Sequence, residues 1–161
     1  MIRTSRRLQP GAGALLLLAL AAAPRADAEE AEHQGHHHKN HFGVFVGLTH
    51  ERRENGFALG VDYARRLNES FSIGAFAERT WGDFNFDVYG VSVAYHVDKW
   101  TWAIGPGIED SRLGNERLWR LGVGYSIELD ERGTILTPNF YIDVVDGEQV
   151  YVLGVALGRG F

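Results

Sequence analysis

From residue 42 to residue 161, large apolar side chains return at every second position, and glycine, alanine or serine fills most of the places between them. A period of two is the mark of strands with unlike faces, because successive side chains on a strand point to opposite sides. Eight such runs are separated by turn signals: Phe42 to Thr49, Gly56 to Leu67, Phe71 to Arg79, Val88 to Val97, Trp100 to Glu109, Trp119 to Leu129, Ile135 to Val144 and Gln149 to Phe161. Most run to about 9 to 11 residues, the length of a tilted strand that crosses a bilayer. The connections after the second, fourth and sixth runs are tight, at Asn68 to Ser70, Asp98 to Lys99 and Asp130 to Thr134. Those after the first, third, fifth and seventh read as longer loops of about five to nine residues, the asymmetry of an up-and-down barrel in an outer membrane.

One face of the runs carries Phe42, Val44, Val46 and Leu48, then Phe57, Leu59, Val61 and Tyr63, and so on to Tyr151, Leu153, Val155 and Leu157. The other carries Gly43, Gly47, Gly60, Gly74, Gly90, Gly105, Gly122 and Gly154, with a few charges. Turned inward, the bulky face would leave an outside of glycine facing water. Turned outward it faces lipid, and the small residues let a narrow barrel close around its charged side chains. The fold class is therefore all-β, an eight-stranded antiparallel up-and-down transmembrane β-barrel. A closed barrel has no free edge, so the last strand pairs with the first along its length.

The chain ends on alternating Tyr151, Leu153, Val155 and Leu157 and then Phe161. This resembles the carboxy-terminal signature of bacterial outer-membrane proteins, which implies recognition by their assembly machinery. Arg159 departs from a fully apolar alternation, and near a rim its long side chain reaches water. The span Phe42 to Phe161 as a whole resembles the small eight-stranded outer-membrane barrels of the OmpA and OmpX type. The resemblance implies integral residence in the outer membrane, with both termini periplasmic. It also implies two aromatic girdles, Trp81, Phe84, Phe86 and Trp119 on the loop side and Phe71, Tyr95, Trp100 and Phe161 on the turn side.

Three arginines followed by a 13-residue apolar run, Gly11 to Ala23, and a small-residue site at Ala26 to Ala28 read as a cleaved secretory signal spanning residues 1–28. The run is too short for a membrane helix. The remaining 133 residues carry 12 basic and 20 acidic side chains, net −8, a poor partner for nucleic acid. The chain has no cysteine, which excludes thiolate chemistry and disulfides. Residues 29–41 form a histidine-rich periplasmic tail before the barrel of residues 42–161. His33, His36, His37, His38 and His41 suit zinc, copper or nickel, since neutral imidazole ligates all three and a flexible tract can wrap one ion.

By strand parity Asp62, Arg66, Glu78, His96, Glu109, Arg120, Glu128 and Asp143 face the lumen, and Arg66 and Arg120 are expected to bridge some of Glu78, Glu109 and Glu128. Such a network fills an eight-stranded barrel. Arg52, Arg53, Arg112 and Arg117 lie where loops would meet lipopolysaccharide phosphates. The reading is a non-enzymatic barrel, structural or interaction-type, that requires no cofactor and has a metal-capturing tail. The alternatives are a lipid-modifying barrel enzyme, for which Ser92, Ser126, His50 and His96 are the available groups, and passive transport of a small ligand or ion.

Overall fold

The computed structural model describes residues 38–112 and 114–161. The expected signal and the histidines at positions 33, 36 and 37 lie outside the described residues. The elements are β1 (Asn40–Glu51), β2 (Glu54–Arg66), β3 (Phe71–Gly82), β4 (Phe86–Val97), β5 (Trp100–Ser111), β6 (Gly114–Tyr125), β7 (Ile127–Glu128), β8 (Thr134–Val145) and β9 (Glu148–Gly160). Each neighbouring pair is antiparallel, β6 and β7 both pair with β8, and β9 pairs with β1. The sheet is thus a closed barrel of eight strands, with β6 and β7 forming one of them.

The β6–β8 ladder lapses at Ser126 although its register continues unchanged, from Gly124 opposite Asn139 to Ile127 opposite Leu136. The proline at position 138 explains the break. It falls opposite Tyr125 at a place where the alternation calls for a hydrogen-bonded pair, and it has no N–H to give. A second lapse, between β4 and β5, lies where Pro106 comes opposite Val91. There Gly105 is packed so close that a Cβ on it would sit 1.8 Å from the Val91 carbonyl oxygen.

The strands begin earlier and end later than the alternation suggests. At the end away from the termini, pairing continues to Glu51 opposite Glu54, Ser111 opposite Gly114 and Val145 opposite Glu148. The expected long loops are therefore connections of two or three residues, shorter than most turns at the terminus end. Here the ladder runs past the apolar band, and at positions such as Glu51, Glu54, Ser111 and Gly114 the period-two signal fades while the strand pairing persists. The β8–β9 turn shows how tight these are, with Asp146 at φ 46° and Gly147 at φ 87°, as a two-residue type I′ turn needs.

At the other end the barrel also starts earlier, at Asn40 rather than Phe42. The Asn40 N–H donates to the Phe161 carbonyl (3.0 Å) and the Phe161 N–H to the Asn40 carbonyl (2.9 Å). His41 is therefore a strand residue rather than part of the tail. These bonds seal the last residues of the barrel to the first.

Outside, the surface is apolar: Leu48, Leu153, Trp102 and Val91 are all more than half exposed. Inside lies the core of Phe45, Val88, Leu118, Val150 and Val152. The aromatic girdles are rearranged. At the terminus end Phe71 pairs with Tyr95 (5.1 Å) and Trp100 with Tyr125 (5.0 Å). At the opposite end Phe57 stacks on Trp81 and Phe140 on Tyr151. Phe84 and Phe86 are not girdle residues. Strand β4 begins two positions before Val88, which turns Phe86 into the lumen, 7% exposed, where Phe84 stacks on it at 5.3 Å.

Candidate functional site: the lumen

The centre of the lumen is organised by Arg120 on β6. Its Nε and one terminal nitrogen donate to the two oxygens of Asp143, its partner across the β6–β8 ladder, at 2.7 and 2.6 Å. Its terminal nitrogens also donate to Glu78 on β3, on the far wall, at 3.2 and 3.5 Å. All three side chains are buried, at 6%, 6% and 2% exposure for Glu78, Arg120 and Asp143. The guanidinium lies between two rings, 4.5 Å from the centroid of Phe76 and 4.8 Å from that of Tyr141. One cation thus satisfies two carboxylates and ties opposite walls together, the arrangement in which buried charge is tolerable.

The rings are seated in glycines. Phe76 faces Gly90 and Tyr141 faces Gly122 directly across the ladder, and a Cβ on those glycines would sit 2.3 and 2.6 Å from ring atoms. Phe45 covers Gly47 and Gly154 in the same way and meets Tyr141 edge-on at 5.7 Å. Large inward residues placed beside glycine were the readable sign of this plug. Phe45, Phe76 and Tyr141 fall on the inward face by strand parity, but nothing in the pattern of charges points to them.

The other expected lumen residues do not join this network directly. Arg66 lies at the terminus-end mouth and donates to the Glu69 carbonyl at 3.2 Å, so the expected bridge to a carboxylate is not formed. Being near the strand end, it reaches the turn rather than the centre. Glu109 faces inward, opposite Glu116, and Glu128 is exposed at the terminus end. Asp62 lies 3.6 Å from His41. His96 sits between two hydroxyls, with Nε2 2.9 Å from Ser72 Oγ and Nδ1 3.0 Å from Thr101 Oγ1. Ser72 is 2% exposed, and neither Ser92 nor Ser126 is among the partners of that imidazole. His50 points outward and meets Asn55 at 2.9 Å. His38 lies against Gly133 and Gly160 at the terminus-end rim. Among the described residues no three His, Asp or Glu side chains are grouped as metal ligands.

The fold is that of small membrane barrels. Ail of Yersinia pestis, an outer-membrane protein solved with the heparin analogue sucrose octasulfate, superposes with a TM-score of 0.52 at 13% identity, over 76% of this chain and 96% of Ail. Neisserial surface protein A gives 0.53 at 10% identity, over 76% of this chain and 96% of its own. A de novo designed transmembrane β-barrel gives 0.52 at 14% identity, over 73% and 94%. No protein-family model and no curated protein sequence matches the chain. At such identities the likeness is one of architecture, and the lumen chemistry has to be read from this chain itself.

Proposed function

We propose that the protein is a non-enzymatic integral barrel of a bacterial outer membrane, acting through its surfaces and its tail rather than through its interior. The observation that carries this reading is a plugged lumen inside an apolar exterior. In water, large side chains as exposed as Leu48 and Leu153 around a whole barrel would drive association. In lipid they cost nothing, and the closed ladder leaves no strand edge unpaired. Inside, the Arg120, Glu78 and Asp143 cluster and the three rings occupy the path an ion or substrate would need.

The outward alternation of Tyr151, Leu153, Val155, Leu157 and Phe161 supports recognition by the outer-membrane assembly machinery, and the apolar leader supports export. On this reading both termini are periplasmic, as is the histidine tract. The imidazoles of His33, His36, His37, His38 and His41 would together gather a zinc, copper or nickel ion. The enzyme alternative finds Ser72 rather than Ser92 or Ser126 beside His96, buried and without a carboxylate to orient the ring.

A polyanion of the kind bound by Ail is disfavoured at the end away from the termini. There Glu51 faces Glu54, Asp87 faces Asp110 and Glu109 faces Glu116 across the ladders. Arg52, one of the arginines expected to meet lipopolysaccharide, is ion-paired with Glu148 instead.

The test combines two measurements on the refolded barrel. An unheated sample should migrate apart from a boiled one on a gel, and planar bilayers should show no steady conductance. A stable open channel would overturn the plugged-lumen reading.

A further inference from the structure

We propose that the outer face of β2 to β6 carries a binding site for one anionic phospholipid, with its phosphate on Arg65 and an acyl chain laid toward Trp119. This rests on the membrane reading and adds a ligand class to it. A groove of about 590 Å³ runs obliquely across these strands, from Arg65 past Ala75, Val91, Val93 and Pro106 to Trp119. The registers make it continuous on one face: Tyr63 stands opposite Ala75, Ala75 opposite Val91, Val93 opposite Ile104 and Pro106 opposite Trp119. Its floor is low for two reasons. Ala75 stands among the larger outward side chains of Tyr63, Ile73 and Val91, and the β4–β5 ladder lapses at Pro106.

Charge decides the occupant. Arg65 is exposed, points outward at the terminus-end rim, and among the described residues has no carboxylate within ion-pair distance. A second, smaller groove of about 300 Å³ lies beside Arg79, but that guanidinium already has Asp87 at 3.6 Å and Trp81 at 5.6 Å. A neutral chain fits either groove. Only the one beside Arg65 presents an uncompensated cation at headgroup depth, where a phosphate and a net-negative headgroup complement it.

The test uses Trp119 as the reporter, in a full barrel carrying W81F, W100F and W102F, reconstituted into phosphatidylcholine vesicles. A fixed fraction of phosphatidylglycerol or of phosphatidylcholine carries brominated chains, which quench nearby indole. Both should quench, and phosphatidylglycerol should act as though it were about fivefold enriched at the site, the ratio expected from about 1 kcal/mol for one arginine near anionic lipid. R65Q should bring the two lipids level. A75L, which keeps the charge and fills the groove, should also abolish the preference, and unheated gel mobility verifies that each variant is folded. Equal quenching by the two lipids in the parent, or a preference that survives R65Q, overturns the site while leaving the membrane reading intact. No quenching by either lipid would take Trp119 out of the hydrocarbon and sink the membrane reading itself.

Discussion

Replacing Arg120 with methionine tests the lumen plug where it is most exposed to error. The substitution keeps much of the volume but deletes four hydrogen bonds, at 2.6 and 2.7 Å to Asp143 and at 3.2 and 3.5 Å to Glu78. It also removes the cation lying between Phe76 and Tyr141. Removing one partner of a buried ion pair costs about 3–5 kcal/mol, chiefly because the survivor is left charged and dry. Two carboxylates are stranded here rather than one, so R120M should fall in the upper part of that range. The triple variant R120M, E78Q, D143N leaves no orphaned charge and should recover at least half of the loss, since replacing a whole buried charge cluster is often near neutral. The assay is equilibrium urea unfolding of barrels refolded in lipid vesicles, followed by tryptophan fluorescence. A loss below about 1 kcal/mol for R120M would mean that the lumen is wet enough to solvate the carboxylates. A triple variant no more stable than R120M would show that the loss comes from packing rather than charge.

Three further outcomes follow from other parts of the molecule. Zinc titrated at pH 7.5 into the chain starting at Glu29 should bind at about micromolar affinity or tighter, fall away near pH 6 as imidazoles protonate, and vanish when the chain starts at Asn40; equal binding by both forms would move the ion off the tract. The Asp130 carboxylate accepts the N–H groups of Arg132 and Thr134, each at 2.9 Å, and the Thr134 hydroxyl at 2.8 Å. The Thr134 bonds foremost hold its pKa below the usual carboxylate range. Its contribution is present above the unfolded value of about 3.9 and lost as pH falls through the lower folded value, so D130A should lower the urea midpoint at pH 7 and cease to differ from the parent in strong acid. Placing a methyl at Gly90 would bring it 2.3 Å from Phe76 and 2.7 Å from the Pro106 carbonyl oxygen. G90A should therefore cost about 1–3 kcal/mol, and adding F76L should relieve only the part due to the ring.

The histidine tract and the lumen charges were both conspicuous in the sequence, for different reasons. A run of imidazoles is visible from composition alone, but composition encodes no ligand geometry. The lumen charges were visible from parity, which assigns a face and says nothing about height. Arg66 and Arg120 share the inward face, yet only Arg120 sits where a cross-strand partner and the far wall both offer a carboxylate. Ser72 and Thr101 illustrate the same limit, since small hydroxyls on the inward face carried no sign that one imidazole would join them.

What this sequence determined by itself is local and repetitive: the apolar middle of each strand, which face of it meets lipid, and that the strands must close on one another. Those follow from a period of two and from the cost of unpaired backbone in an apolar medium, and neither needs a register. What only the tertiary structure decided depends on stagger. The shear of a closed barrel sets which inward residues share a level, and so it placed Glu78 beside Arg120 and seated Phe76 on Gly90. It also carried the hydrogen-bond ladders beyond the apolar band into segments that read as loops, because backbone pairing there continues without any side-chain alternation to announce it.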